Sequence, residues 1–277
     1  MDPATDPVAR ALADAANKAS ITYQTGSGEA APASLAASGC TLIVGTDSTT
    51  ASSISEAARV NPKVRFALVG ASFTDAKNNP TSLKNGSVIN VRASEAAYLA
   101  GYASAGMTTT GTLAVIGGSR DNVTASQMDA FAEGVDAYNL AKGTSITILG
   151  WNNASKEGTF VDSAENVEAT AANFIAQGAD IILPLAGDEA VSAESPMSGQ
   201  AGPQVVEQVD TQSFSDSFSY IQITDAVRSS IGAPVLTGIV LDYSAAMDTL
   251  ISDATAGAPA STVPVSLVSG GVILTGF

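Results

Sequence analysis

Small polar residues follow the carboxyl ends of several predicted strands, and these residues are the best candidates for binding a ligand. Ligands of open α/β sheets bind at this edge, where glycines let the backbone come close to them. The candidates are Gly45, Asp47, Gly118, Asn122, Trp151, Phe160, Gly187 and Asp210. The rings of Trp151 and Phe160 could stack on a flat compound. The Asp210 carboxylate could accept hydrogen bonds from two hydroxyls of a ribose. Each site taken singly is explained more simply as a turn or a helix N-cap.

The composition argues against catalysis and against a bound cofactor or metal. The chain has no histidine and one cysteine, which removes Ser–His–Asp and Cys–His chemistry and the commonest metal ligand. We interpret Cys40, which precedes an apolar run, as a structural thiol. Gly117-Gly118 does not match the dinucleotide motif GxGxxG, and no GxxxxGK[ST] phosphate loop occurs. The adjacent Asp188 and Glu189 could do acid–base work, but chance adjacency explains them in a chain with 27 acidic residues.

The charge excludes two kinds of partner. The 27 acidic residues face only 12 basic ones, giving a formal net charge of −15, and such a surface repels nucleic acid and anionic lipid. No apolar run approaches the ~18 residues that a membrane span requires. The first residues also lack the basic and apolar regions of an export signal. Composition leaves open a cytoplasmic protein or one whose export segment has been removed.

Short apolar runs alternate with helical stretches along the chain. The predicted strands are Ile21–Gln24, Thr41–Val44, Val64–Val69, Ser87–Val91, Thr112–Ile116, Ser145–Leu149, Asp180–Leu185, Gln204–Val209, Val235–Val240 and Val272–Leu274. The predicted helices are Asp6–Ala19, Ser53–Val60, Ser94–Ala105, Ala125–Ala141, Ala164–Gln177 and Ser244–Ala256. Continuous Val/Ile/Leu runs are typical of strands buried on both faces of a parallel sheet. The alternation predicts an α/β fold with doubly wound sheets, and the number of strands predicts two lobes.

Several segments in a fixed order resemble one family. They are NPKVRFALVGA (61–71), ASEAAYLAGYASAGMTTTGTLAVIGG (93–118), QMDAFAEGV (127–135), GTFVDS (158–163) and IAQGADIILPLAG (175–187). Together they resemble the basic membrane protein (BMP) family, the substrate-binding lipoproteins of ABC transporters whose best-known members are purine-nucleoside receptors. The resemblance covers roughly residues 38 to 277.

The resemblance implies a two-lobed type I periplasmic-binding-protein fold, in which each lobe is a Rossmann-like parallel sheet flanked by helices. We expect lobe I to comprise residues 1–117 with 243–277, and lobe II residues 118–242. The implied function is capture of a small polar solute, most simply a nucleoside, in the interlobe cleft by hinge closure. By position in the family's motifs, Gly45 and Asp47, Gly118, Phe160, Gly187 and Asp210 would contact the ligand.

The resemblance also implies the protein's setting. It would be a monomer, a periplasmic protein or a membrane-anchored lipoprotein outside the cytoplasm, and it would deliver its solute to an ABC permease. Two of the family's ligand contacts have no counterpart: the loop after its first strand is not matched, and Leu241 stands in place of a lysine. A ligand-sensing module without transport, and a nucleoside-processing enzyme, are the alternatives.

Overall fold

The computed structural model describes residues 6–46, 50–118, 120–161, 163–186, 193, 196, 204–210 and 235–274, with the backbone alone for 204–210 and 235. The chain divides into two compact units. The first comprises Met1–Arg92 with Asp242–Gly271, and the second comprises Ala93–Leu241 with Val272–Phe277.

The first unit contains a four-stranded parallel sheet in the order β1-β2-β5-β13. Its strands are β1 (Leu42–Gly45), β2 (Arg65–Val69), β5 (Gly86–Val91) and β13 (Thr262–Val265), and a small antiparallel pair, β3 (Phe73–Thr74) and β4 (Pro80–Thr81), follows β2. Its helices are α1 (Pro7–Lys18), α2 (Ala31–Ala37), α3 (Ala51–Val60) and α7 (Ser244–Ala256). Phe66, Ala67 and Leu68 of β2 are fully buried, so this strand forms the centre of the core.

The second unit contains a six-stranded sheet in the order β14-β12-β11-β10-β6-β7, parallel except for β14. Its strands are β6 (Thr112–Gly117), β7 (Thr147–Leu149), β10 (Ile181–Leu185), β11 (Gln204–Asp210), β12 (Val235–Leu241) and β14 (Val272–Leu274). The antiparallel pair β8 (Trp151–Asn152) and β9 (Glu157–Gly158) follows β7. Its helices are α4 (Ala93–Met107), α5 (Asn122–Lys142) and α6 (Ala164–Ala176).

The parallel sheets predicted from the continuous apolar runs are confirmed, and one predicted strand is wrong. Ile21–Gln24 forms no strand and belongs to none of the described sheets. The two small antiparallel pairs, α2 and β13 were not predicted.

The two units are divided differently from the expected lobes. We expected residues 93–117 in lobe I, but β6 pairs with β7 and β10 in the second sheet. The segment 272–274 also joins this sheet through its pairing with β12. In the structure, the chain therefore enters the second unit at Ala93, before α4, leaves it after Leu241 and returns to it at Val272.

Helices α4 and α5 cross at two glycines, where backbone touches backbone. A Cβ atom on Gly101 would lie 2.0 Å from the backbone oxygen of Phe131. A Cβ atom on Gly134 would lie 2.1 Å from the backbone oxygen of Tyr98. Neither oxygen can move without shifting its helix, so the spacing of the two helices depends on the absence of side chains at these positions.

We expect Gly101→Ala to destabilise the protein by about 3 kcal/mol, because the added methyl group forces the two helices apart. Urea unfolding followed by circular dichroism measures the change. Gly106→Ala is the matched control, since it places the same substitution in the same helix against the movable ring of Tyr138. This control should stay within about 1 kcal/mol of the parent. Equal losses in the two variants would contradict the proposed role of the crossing.

Asp180 closes the turn between α4 and β6 from a position 70 residues further along the chain. Its carboxylate accepts hydrogen bonds from the Thr108 hydroxyl (2.6 Å), the Thr109 hydroxyl (2.8 Å), and the N–H groups of Thr109 (2.6 Å) and Thr110 (3.1 Å). The residue is only 5 % exposed. Burial alone would raise the pKa of Asp180, but these four hydrogen bonds together lower it below the ordinary value of 3.8.

We expect Asp180→Asn to lower the free energy of unfolding at pH 7 by about 2 kcal/mol, because an amide cannot accept all four hydrogen bonds. A carboxylate with a lowered folded-state pKa stabilises the protein above its unfolded value and stops doing so as the pH falls through the folded value. The difference between parent and variant should therefore shrink below pH 4. Urea titrations at pH 7, 5 and 3 test this, with Asp14→Asn on an exposed position as the control. A difference that stays constant with pH would contradict it.

Candidate functional site

The carboxyl ends of β6 and β10 meet at Gly118. Its N–H donates to the Leu185 carbonyl oxygen at 3.0 Å, which continues the pairing of Gly117 with Leu185 one residue past both strands. A Cβ atom on Gly118 would lie 2.8 Å from Cα of Ala186 and 3.0 Å from the oxygen of Leu185. Only glycine allows this approach, and it leaves the backbone bare at the edge where ligands of parallel sheets bind.

Phe160 is held at the same edge by backbone pairing with Gly117. The Gly117 N–H donates to the Thr159 oxygen (2.9 Å), and the Val161 N–H donates to the Gly117 oxygen (2.8 Å). A Cβ atom on Gly117 would lie 2.6 Å from the Phe160 ring, so the glycine makes room for the ring. Phe160 is half-buried, and its ring is thereby fixed beside the end of β6.

Arg120 lies over this ring, with its guanidinium carbon 4.8 Å from the ring centroid. The contact is a cation–π interaction, and the arginine itself is exposed. A guanidinium group can donate hydrogen bonds to carbonyl, hydroxyl or phosphate oxygens of a ligand while it stays stacked on the ring. Sequence reasoning missed this residue, because nothing in the spacing of residues 117–122 shows that Phe160 folds back onto them.

Asn122 lies at the first turn of α5, and its side chain is exposed. The helix is capped by Asp121, whose carboxylate accepts a hydrogen bond from the Thr124 N–H at 2.8 Å. The helix predicted at Ala125–Ala141 therefore begins three residues earlier in the structure, at Asn122. Asn122, Arg120 and Gly118 follow β6 within five residues, and Phe160 joins them through its pairing with Gly117.

Trp151 takes part in a different network, in the layer between α5 and the small antiparallel pair. Its indole N–H donates to Asp129 (3.2 Å) and Asn153 (3.1 Å). Asp129 also forms an ion pair with Lys156, whose Nζ lies 2.7 Å from Oδ2. Trp151 is 8 % exposed, so little of its ring is left to stack on a ligand. The stacking role of Trp151 stays a prediction, and the contacts described here give its ring a packing role.

The remaining predicted contacts are distributed over the chain. Gly45 ends β1 in the first unit, where a Cβ atom would lie 2.8 Å from the Thr50 hydroxyl oxygen and 3.0 Å from the Leu68 side chain. Asp210 ends β11 and pairs with Leu241, and its side chain is not described. Asp47 and Gly187 lie outside the described residues. The ligand roles of these four residues stay predictions, as does hinge closure.

The described part of the chain contains no group of three or more His, Cys, Asp or Glu side chains that could hold a metal ion. None of its helices combines the length and the hydropathy of a membrane span.

Comparisons with known proteins agree on the family and the fold. The sequence model of the Bmp family, described as "ABC transporter substrate-binding protein PnrA-like", matches residues 11–253. Three solved structures are a solute-binding protein of Aeropyrum pernix K1, one of Conexibacter woesei DSM 14684, and a LacI family regulator of Enterococcus faecium with bound ribose. No curated protein matches the sequence significantly.

The three structures share the fold at low sequence identity. The first is 18 % identical, with a TM-score of 0.74 over 98 % of this chain and 72 % of that one. The second is 17 % identical, with a TM-score of 0.60 over 99 % and 83 %. The regulator is 15 % identical, with a TM-score of 0.65 over 99 % and 93 %. The type I periplasmic-binding-protein fold implied by the sequence is thereby confirmed.

We expect Gly118→Ala to lower the free energy of unfolding by about 2–3 kcal/mol, because the new methyl group meets backbone atoms of Leu185 and Ala186 that cannot rotate away. Thermal and urea unfolding measure the loss, with Gly106→Ala again providing the same chemical change without a backbone clash. A Gly118→Ala protein as stable as the parent would mean that the two strand ends do not lie as close as the structure places them.

Proposed function

The chain belongs to the Bmp family of PnrA-like ABC transporter substrate-binding proteins, and we propose that its solute is a nucleoside or a similar polar compound with a flat ring. The family is one of binding proteins rather than enzymes. The chain's role is therefore to capture a solute for an ABC transporter, and the proposal concerns which solute.

The observation that carries the proposal is the pair formed by Phe160 and Arg120 at the end of β6. Arg120 covers one face of this half-buried ring, which backbone hydrogen bonds hold in place, and the nucleobase would stack on the other face. The guanidinium 4.8 Å above it offers hydrogen-bond donors for the acceptor atoms of a base. The bare backbone at Gly118 lets a ligand approach closely without a steric barrier.

Asp210 supports a sugar attached to that base. It is the last residue of β11, which pairs with β10, the neighbour of β6. Neighbouring strands lie about 4.8 Å apart, so the ends of β6 and β11 are about 10 Å apart. A base with its ribose spans this distance. A carboxylate is the group best suited to accept hydrogen bonds from two neighbouring hydroxyls.

The setting of the protein follows from the same proposal. A binding component of an ABC transporter meets its solute outside the cytoplasm and passes it to the membrane permease. We place this chain there as a monomer, either free or held to the membrane by a lipid.

We expect nucleosides to raise the melting temperature, since a ligand that binds only the folded state stabilises it by about 2.7 kcal/mol at a hundred times its Kd. The panel is inosine, guanosine, adenosine and uridine, with free ribose and free hypoxanthine as partial ligands. Phe160→Ala should weaken binding by roughly 5- to 150-fold in calorimetry, the loss of one stacking contact of about 1–3 kcal/mol. Arg120→Ala should weaken it as well.

Matched variants distinguish the loss of a specific ligand contact from a general effect of changed side-chain volume or charge. Phe160→Tyr keeps a stacking ring and should retain binding, whereas Phe160→Leu keeps the bulk and should not. Lys142→Ala removes one positive charge from the far end of α5 and is the control for Arg120→Ala. No response to any nucleoside, or equal affinity in Phe160→Ala and the parent, would refute the proposed ligand class while leaving family membership untouched.

A further inference from the structure

Positive charge is concentrated in one stretch of the first unit. Between Glu56 and Glu95, the chain has six of its 12 basic residues and one of its 27 acidic residues. The rest of the chain is therefore even more acidic than the formal net charge of −15 indicates. The net charge predicts the behaviour of the whole surface, but it does not predict the behaviour of this stretch.

Hydrogen bonds of Asn85 hold three parts of this stretch together. Its side-chain amide donates to the carbonyl oxygens of Ala58 (3.0 Å), Asn61 (3.2 Å) and Val64 (2.9 Å). Its own carbonyl oxygen accepts a hydrogen bond from the Phe66 N–H at 2.8 Å, where β2 and β5 begin to pair. The end of α3 and the starts of β2 and β5 therefore meet at the amino edge of the sheet.

Four exposed basic residues surround this junction, and we call them the basic edge: Arg59, Lys63, Lys77 and Lys84. Arg59, Lys63 and Lys84 each adjoin, in the sequence, a residue of the junction. Arg59 also donates from Nη1 to the Thr74 oxygen at 2.6 Å, which brings the loop that contains Lys77 to the same edge. Within the described ranges, none of the three lysines forms an ion pair.

Two acidic residues lie near the basic edge and offset part of its charge. Glu56 is exposed on α3, one turn before Val60. Hydrogen bonds from Asn79 and Lys77, with the nearby charge of Arg59, lower the pKa of Asp75 below its ordinary value of 3.8. Both carboxylates are counted as negative at neutral pH, and a surplus of positive charge still remains.

Apolar side chains lie among these cations. Val60 follows Arg59 at the end of α3 and is 69 % exposed, and Pro62 is exposed beside Lys63. A single exposed apolar residue is ordinary. Apolar residues flanked by Lys and Arg are suited to a lipid interface, where the apolar group enters the headgroup region and the cations attract anionic lipids.

The choice of basic residue favours lipid over a folded acidic protein. Three of the four cations of the basic edge are lysines. A lysine ammonium group is a point charge that needs no fixed geometry, which suits mobile phosphate headgroups. Interfaces between proteins are instead depleted of lysine and enriched in arginine.

We propose that the basic edge is a docking surface for a membrane that contains anionic phospholipids. Each basic side chain near such a membrane strengthens binding about fivefold, and the attraction acts only over a screening length of about 8 Å. Acidic residues farther than this from the lipid oppose the contact weakly, so a basic edge can bind although the chain as a whole is acidic.

The proposed contact leaves the other edge of this sheet free. Gly45, a predicted ligand contact, lies at the carboxyl end of β1, whereas the basic edge adjoins the amino ends of β2 and β5. Because these strands are parallel, the two edges are opposite each other. The inference does not depend on the identity of the solute.

Cosedimentation with vesicles tests the proposal. The protein should bind vesicles of phosphatidylcholine with about one third phosphatidylglycerol but not phosphatidylcholine alone, and added salt should weaken the binding. Lys63→Ala combined with Lys84→Ala should weaken it about 25-fold, at about fivefold for each lysine. Lys18→Ala combined with Lys142→Ala is the matched control, because it removes the same charge from exposed positions elsewhere, and should change binding by less than about twofold.

Substitutions of Val60 provide a second arm that leaves the charge unchanged. Val60→Ser should weaken binding to the anionic vesicles by roughly threefold to tenfold, because less apolar surface enters the headgroup region. Val60→Trp should strengthen binding, since tryptophan favours the membrane interface. The side chain is exposed, so both variants should melt at the temperature of the parent.

Three results would overturn the proposal. The first is a lack of binding to the anionic vesicles at low salt; binding to soluble polyglutamate in its place would assign the basic edge to an acidic protein. The second is an equal loss of binding in the Lys63/Lys84 variant and its control, which would attribute the binding to net charge. The third is unchanged binding in both Val60 variants, which would mean that this surface does not enter the lipid.

Discussion

Direct contact of backbone with backbone is the constraint on which the second unit depends. At Gly101 and Gly134, two helices approach until no side chain fits between them, and at Gly118 the ends of two strands do the same. Close packing leaves no free space at such places, so the position of one element fixes the position of the element that it touches. The position of Phe160, and of Arg120 stacked on it, is fixed in the same way, because Phe160 pairs with Gly117, the residue before the contact at Gly118.

Elements with a strong local signal could be predicted from the sequence. The strand predicted at Thr112–Ile116 is β6 with one residue added, because a strand buried on both faces must be apolar at every position. The helix predicted at Ala125–Ala141 ends, as expected, before Gly143, which has the left-handed conformation (φ 68°) that ends helices. In both cases, the physical cause and the residues that show it are neighbours in the chain.

Features made by residues far apart could not be predicted. Asp180 secures a turn 70 residues before it, and Arg120 meets Phe160 40 residues on; neither pairing leaves a trace in local spacing. Trp151 follows a strand as a ligand contact would, but its indole N–H is satisfied by Asp129 on another helix. A strand prediction also fails where no described strand pairs with the segment, as at Ile21–Gln24, since a single strand without a neighbouring backbone is not stable.

The turn held by Asp180 lies at the start of β10, whereas Gly118 and Ala186 lie beyond its other end. One border of the sheet thus carries anchoring hydrogen bonds. At the opposite border Gly118 admits no side chain, but Arg120 and Asn122 are exposed and can be exchanged. Substitutions at these two exposed positions should leave the anchor intact, because sites this far apart contribute almost additively to stability. Such an arrangement permits related proteins to diverge in the solutes that they bind while the fold stays unchanged.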